Sequence, residues 1–320
     1  MSTTAHIIRR TVLLFALSLA AAMAEGLECP QVPAATIAAL KAYVSMRYHF
    51  PAGWRLEVQD CKRAGPAGYT RIFMVSETLG QPFQGLFFLS PDLRVASQEP
   101  FDLSFDPQKA AAEAVREVVS ESKGSDLPGT GPPNAQTLMV VFLDFQCEYC
   151  RDMADVISKQ IIPKYGSDLR IVFRHYPLQA HSWARRAAEA AACVSLQGDE
   201  VFMGFHNAVF AAQGRITDTE VEAELAKLLG SVPRADAMRY KQCLAEGMGR
   251  HRLYRDVLAA KLVRVSATPT IFVNEWRQDG IGDPEALLRK IEETVRAQKR
   301  VAADVAPVGA DNGLSRGARQ

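Results

Sequence analysis

Hydrophobic positions change period along this chain, and the changes mark its elements. Between Thr36 and Tyr48, after Pro30 and Pro33, Ile37, Leu40, Val44 and Tyr48 recur every three or four residues and predict one amphipathic helix. From Arg55 to Cys61 the pattern alternates through Leu56, Val58 and Asp60. Tyr69 to Ser76 and Gln84 to Leu89 are rich in β-branched and aromatic residues, with Gly65-Pro66, Gly80-Gln81-Pro82 and Ser90-Pro91-Asp92 as punctuation. A helix followed by a meandering antiparallel sheet is the expectation for 25–105. Asp106 then serves as N-cap and Pro107 as first residue of a helix filled by good formers from Ala110 to Ser122. Three Gly and three Pro between Lys123 and Asn134 mark the domain boundary, so 106–134 reads as helix and linker.

The region 135–299 has a different rhythm. Thr137 to Phe145 is almost continuously apolar, which suits a strand buried on both faces of a sheet with parallel neighbours. Helical spacing follows at once, with Cys150, Met153, Ile157 and Ile161 on one face as far as Tyr165. Leu169 to Tyr176 is a second buried strand, stopped by Pro177. A helical block fills roughly 180–265, broken at Gly198, Gly214 to Thr217, Gly230 to Pro233 and Gly247 to Gly249. Thr270 to Val273 reads as a short strand, Asn274 to Gly282 as a hairpin, and Pro284 to Lys299 as a last helix, with a disordered tail over 300–320. The fold class is α/β with a large helical insertion, preceded by a smaller α+β domain.

Composition narrows the function without naming it. The 320 residues are 48% hydrophobic, and 37 basic side chains balance 36 acidic ones for a net charge of +1, so no global field points to nucleic acid. The first 24 residues stand apart: His6, Arg9 and Arg10 precede the apolar run Thr11 to Ala22, and Ala22-Met23-Ala24 offers small residues for cleavage. A signal peptide is expected here, because about 12 apolar residues fall short of the roughly 20 that a transmembrane anchor needs. The mature chain is expected to be soluble and periplasmic or otherwise exported. Cys29 lies several residues past the cut, which argues against a lipidated N-terminal cysteine. All six cysteines fall in the exported part, where paired thiols persist.

Cys147-Glu148-Tyr149-Cys150 carries the candidate chemistry. A buried strand becomes a helix there, so Cys147 meets unpaired backbone N–H groups and the positive end of a helix dipole, which favour thiolate. Thiolate is the attacking species in thiol–disulfide exchange, making Cys147 the nucleophile and Cys150, one turn on, the resolving thiol. Half of a zinc site and an inert bridge are the alternatives. No second Cys-x-x-Cys exists, and His175, His181 and His206 are isolated, so no metal is expected. A bridge between residues three apart closes too small a loop to stabilise much. Glu148 opposes ionisation of Cys147, while Arg151 acts the other way.

Around these residues the chain resembles the DsbA-like thioredoxin-fold thiol–disulfide oxidoreductases: F-L-D-F-Q-C-E-Y-C-R, then R-H-Y-P-L with His181 and an Ala-rich helix, then A-T-P-T-I-F-V-N. The resemblance covers about Asn134 to Val295 and implies a thioredoxin fold, no cofactor, and a cis Thr268-Pro269 bond lying against the cysteine pair where substrate backbone docks. A simple strand entry is the alternative for that segment. Many relatives have Pro or Gly where Glu148 stands, and this departure predicts a weaker oxidant than the strongest members. The four other cysteines allow three pairings; the choice that respects the domains is Cys29 with Cys61 and Cys193 with Cys243, and relatives with a second pair in the helical block support the latter. Cys29 and Cys61 could instead bridge two chains or form a second redox pair. The two-domain layout, with Tyr149 in the tetrapeptide, is loosely similar to the DsbC-type isomerases and implies a homodimer through the N-terminal domain, a monomeric accessory domain being the alternative. The expected activity is exchange on unfolded or misfolded exported proteins, of isomerase or reductase type, reset by a membrane or periplasmic redox partner. Dithiol oxidase is the runner-up, and a holdase on a thioredoxin scaffold comes after it.

Overall fold

In the computed structural model the described residues are 29, 31–50, 54–63, 68–76, 83–98, 106–123 and 126–305. The signal-peptide expectation for 1–24 and the tail beyond 305 lie outside them. The chain divides into two compact units between Ala110 and Ala111.

The first unit opens with α1 (Ala34–Arg47), followed by β1 (Glu57–Arg63), β2 (Thr70–Ser76), β3 (Phe83–Leu89) and the short β4 (Ala96–Ser97). The strands form one antiparallel sheet in sequence order. Leu40 and Val44 of α1 pack on Val58, Ile72, Met74, Phe87 and Leu89, the inward positions of successive strands. Cys29 and Cys61 are disulfide-bonded, with Cα atoms 5.5 Å apart, tying the approach to α1 to β1.

The second unit is built on a five-stranded sheet in the order β5-β7-β6-β8-β9, from β5 (Gly129–Thr130), β6 (Thr137–Leu143), β7 (Leu169–His175), β8 (Thr270–Val273) and β9 (Trp276–Asp279). The central pair, β6 and β7, runs parallel, and the other pairings are antiparallel. The apolar run of β6 serves two cores. Met139, Val141 and Leu143 face one, and Leu138, Val140 and Phe142 face the other.

After β6 come α3 (Glu148–Val156), a π-helical turn Ile157–Ile161 and α4 (Ile162–Tyr165). Pro163 has no N–H to give Lys159, so the helix widens ahead of it. The helical block consists of α5 (Ala184–Ser195), α6 (Asp199–Ala212), the 3₁₀ turn Gln213–Arg215, α7 (Val221–Gly230), α8 (Ala237–Ala245) and α9 (Met248–Leu262). A disulfide between Cys193 of α5 and Cys243 of α8, Cα atoms 5.7 Å apart, closes it. The last helix, α10 (Pro284–Val305), runs six residues past the expected end at Lys299, so 300–305 is helix, not tail.

Two further expectations are corrected. The expectation for 106–134 is a helix and linker, but Val115, Val118 and Val119 of α2 (Pro107–Ser122), at helical spacing, pack on Leu138, Val140 and Phe142. The hydroxyl of Ser122 accepts from Nε of Arg174 at 3.2 Å, and Arg174 pairs with Asp256 of α9 at 3.3 Å, both buried. The Gly- and Pro-rich stretch supplies edge strand β5, because glycine permits the approach. A Cβ at Gly129 or at Gly131 (φ +84°) would run into the carbonyl of Ile171 or Leu169. Arg170 fastens this edge through the carbonyls of Gly131 (3.0 Å) and Leu127 (3.3 Å). In a free linker Gly131→Ala would be harmless. We expect it to destabilise the protein by roughly 1–3 kcal/mol in urea unfolding, through strain at positive φ.

Candidate active site

The site grows from the end of β6. Asp144 follows the last apolar residue of the strand, and its side chain is fully enclosed. Burying a carboxylate is tolerable only when its oxygens are occupied. Oδ1 accepts the N–H of Gln146 (2.7 Å), and Oδ2 accepts that of Leu178 (2.8 Å) and lies 2.7 Å from Nδ1 of His181. Gln146 adds a second tie, its Oε1 accepting the N–H of Trp183 at 2.8 Å. The turn carrying the cysteines is therefore stitched to the segment that leads into α5. Cys147 takes the N-cap position of α3 with extended backbone (φ −75°, ψ 122°), and its carbonyl accepts the N–H groups of Cys150 (3.2 Å) and Arg151 (3.3 Å).

Four expected site residues come together. Cys147 Sγ lies 3.3 Å from the carbonyl of Thr268, the Thr268-Pro269 bond is cis, and Pro269 lines a small cavity with Cys150. The mouth of the helix is more closed than the sequence reading implied: Cys147 is 5% exposed, against 2% for Cys150. The contact with the Thr268 carbonyl serves the neutral thiol. The Thr268 hydroxyl nearby is buried without a hydrogen-bond partner, and the Thr268 side chain is among the groups that favour the anion of Cys147.

The two sulfurs differ sharply in acidity. Cys147 is lowered from 9.0 to about 6, first by the hydrogen bond from the Cys150 thiol and then, against the opposing effect of burial, by the Thr268 side chain and the backbone N–H groups of Cys150 and Tyr149. Cys150 is pushed well above its ordinary value, mainly by burial and then by its bond to Cys147, although the N–H of Asp144 donates to its sulfur at 3.4 Å. Tyr149 acts through its backbone, since its ring is 53% exposed. Glu148 stands exposed, where water screens the opposition expected of its carboxylate. Cys193, Cys243, Cys29 and Cys61 sit in their two disulfides and are not part of this site.

Sequence reasoning missed the supports of the site. Asp144 was visible as a charge ending an apolar run, a signal that could have flagged it. His181 was noted only within a motif. Gln213, whose amide reaches the loop from the helical block, carries no sequence signal at all. His206, lowered to about 3 by burial, is neutral within a cage of Phe145, Phe173, Phe202 and Phe210. Among the described residues no group of three His, Cys, Asp or Glu is arranged to hold a metal ion.

A depressed thiol makes folding sensitive to pH. Between about 6 and 9 the native state binds fewer protons at Cys147 than the unfolded chain does, so its contribution is largest above 9 and is lost as pH falls through 6. Reduced protein should therefore gain stability relative to a Cys147→Ser variant between pH 5 and 8, read by urea unfolding at each pH; parallel curves would contradict the assignment.

Residues 125–293, more than half of the chain, match the family model described as "Thioredoxin". A Na(+)/H(+) antiporter, NhaA 3 of Salinispora tropica, is 35% identical over 158 residues, 49% of this chain but 23% of the antiporter; the match thus spans about a quarter of that relative. Among solved structures, the thiol-disulfide exchange protein alpha-DsbA2 from Wolbachia pipientis is 21% identical with a TM-score of 0.48, covering 59% of this chain and 99% of that one. BdbD from Bacillus subtilis is 23% identical with a TM-score of 0.46, covering 53% and 94%. Among the described residues no helix is long and apolar enough to cross a membrane. By the extent of the family match, the chain belongs to the thioredoxin family.

Proposed function

We propose that the protein is a thiol–disulfide oxidoreductase that acts on exported proteins through Cys147 and Cys150, of isomerase or reductase type. The observation that carries this reading is geometric: Cys147 caps the N-terminus of α3 with its Sγ 3.3 Å from the Thr268 carbonyl beside the cis Thr268-Pro269 bond, and Cys150 lies one turn on and more deeply buried; Cys147 is accordingly lowered to about 6 and Cys150 raised well above its ordinary value. At neutral pH the outer sulfur is an anion and the inner one a protonated reserve, the division of labour that exchange needs.

In the reductive direction the Cys147 thiolate attacks one sulfur of a substrate disulfide. That bond breaks, the other substrate sulfur leaves with the electron pair, and a mixed disulfide forms. Cys150 then gives up its proton and attacks the sulfur of Cys147, releasing the second substrate thiolate and leaving Cys147 and Cys150 as a disulfide. Two electrons pass from enzyme to substrate. In isomerisation the freed substrate thiolate attacks elsewhere in its own chain, and a later thiolate displaces Cys147 before Cys150 acts. Thr268 and Pro269, beside the sulfur, are the backbone on which an extended substrate segment docks.

The reductive or isomerising direction is supported by the layout, in which a helix and an antiparallel sheet form a unit of their own ahead of the thioredoxin-like one. Export is supported by the two disulfides outside the site and by the pattern of the first 24 residues. The partners proposed are misfolded cysteine-containing proteins, a membrane or periplasmic redox partner and a second copy bound through the N-terminal unit.

Cys147→Ser should abolish insulin reduction and reactivation of scrambled ribonuclease, whereas Cys150→Ser should accumulate mixed disulfides with clients. Retained exchange in Cys147→Ser would defeat the reading. If aggregation suppression were the only activity of the unmodified protein, it would be a holdase. Acid-quenched thiol trapping in cells should find the pair mostly reduced; a predominantly disulfide pair would assign the oxidase.

A further inference from the structure

Gln213 stands on the 3₁₀ turn that ends α6, far from the cysteines in sequence, yet it is 8% exposed and in direct contact with their loop. Its side-chain Nε2 donates to the carbonyls of Phe145 (2.8 Å) and Cys147 (2.9 Å). Its Oε1 accepts from Nη1 of Arg151 at 3.3 Å. One amide thus holds the two carbonyls that flank Gln146, and it orients a cation belonging to the first turn of α3. The guanidinium also touches Asp152 at 3.4 Å and is about half exposed, so its charge is moderated but not cancelled.

Each contact bears on Cys147. Its carbonyl already accepts the N–H groups of Cys150 and Arg151, so Gln213 adds a side-chain donor to the peptide at which the helix begins. The Cys147 carbonyl carries partial negative charge in the same residue as the sulfur that ionises, and a hydrogen-bond donor reduces its field. Without Gln213 the Phe145 carbonyl would lose a buried donor, a change that costs its full desolvation unless the loop moves.

We propose that Gln213 and Arg151 form a bracket that positions the head of α3 and so sets how readily Cys147 gives up its proton. Both are positioning residues: they act through the peptide and field around Cys147 and need not touch substrate. The bracket also ties the helical block to the redox pair. This inference deepens the exchange reading and rests on it for its biological meaning, but the sulfur itself can be read independently.

The test is the rate of iodoacetamide alkylation at Cys147 against pH, in reduced full-length protein. Gln213→Leu should raise the midpoint by about half a unit or more, roughly threefold less thiolate at pH values below it. Arg151→Met should raise it by less, in the same direction. Gln197→Ala, which removes an amide bridge to Asp236 away from the site, is the control and should leave it unchanged. An unmoved midpoint in Gln213→Leu overturns the bracket even if melting falls, because a merely structural role predicts lost stability alone. Should Gln213→Leu not fold, Arg151→Met decides: an upward shift supports the bracket and an unchanged midpoint overturns it. If the midpoint moves while the unsubstituted protein reduces no insulin, the bracket stands and the exchange reading falls. If insulin is reduced while the midpoint stays, the bracket alone falls.

Discussion

The hydrogen bond between the Cys150 thiol and the Cys147 sulfur works in opposite directions on its two ends. It stabilises the anion of the acceptor and holds the proton of the donor, so one contact lowers Cys147 and raises Cys150. Burial alone would push both thiols up and leave two inert side chains. The remainder of the site adds to this asymmetry. The N–H groups at the head of α3 and the Thr268 hydroxyl favour charge at Cys147, while Cys150 sits deeper, against Met153, Ile157 and Pro269.

Holding two sulfurs in that relation takes elements from across the unit. β6 ends where its two-faced core ends, and Asp144 begins the turn by satisfying N–H groups from both sides of it. The parallel neighbour β7 leads into the segment that His181 and Trp183 join to the same turn, and β8 brings Thr268 and Pro269 from the far end of the chain. The helical block, which encloses the site on one side, reaches the loop through Gln213. A side chain buried among partners on several elements has few alternative positions, which is what a fixed difference in acidity requires.

Much of this was legible in the sequence because it is local. A nine-residue apolar run gives β6, the Cys-x-x-Cys pair at its end gives the chemistry, and the Ala-Thr-Pro-Thr segment points to the residues opposite. The disulfide pairings could be anticipated as the choice that keeps each pair within one domain, with the resemblance adding support for Cys193 and Cys243. What remained hidden depends on tertiary contact. Gly129 and Gly131 look like linker residues until the carbonyls of Ile171 and Leu169 are seen to need that space. Val115, Val118 and Val119 look like the face of a connector until the sheet is in place beneath them. Glu148 illustrates the converse: adjacency in sequence suggested an electrostatic role that exposure to water weakens.

The central claim is that Cys147 is the anionic, attacking sulfur and Cys150 the protonated one behind it. The most direct measurement is to treat reduced, folded protein with one equivalent of a thiol alkylating reagent near neutral pH and map the labelled peptides by mass spectrometry. The account predicts label on Cys147 with Cys150 essentially untouched until the protein is unfolded. Label on Cys150 first, or equal label on both, would contradict it.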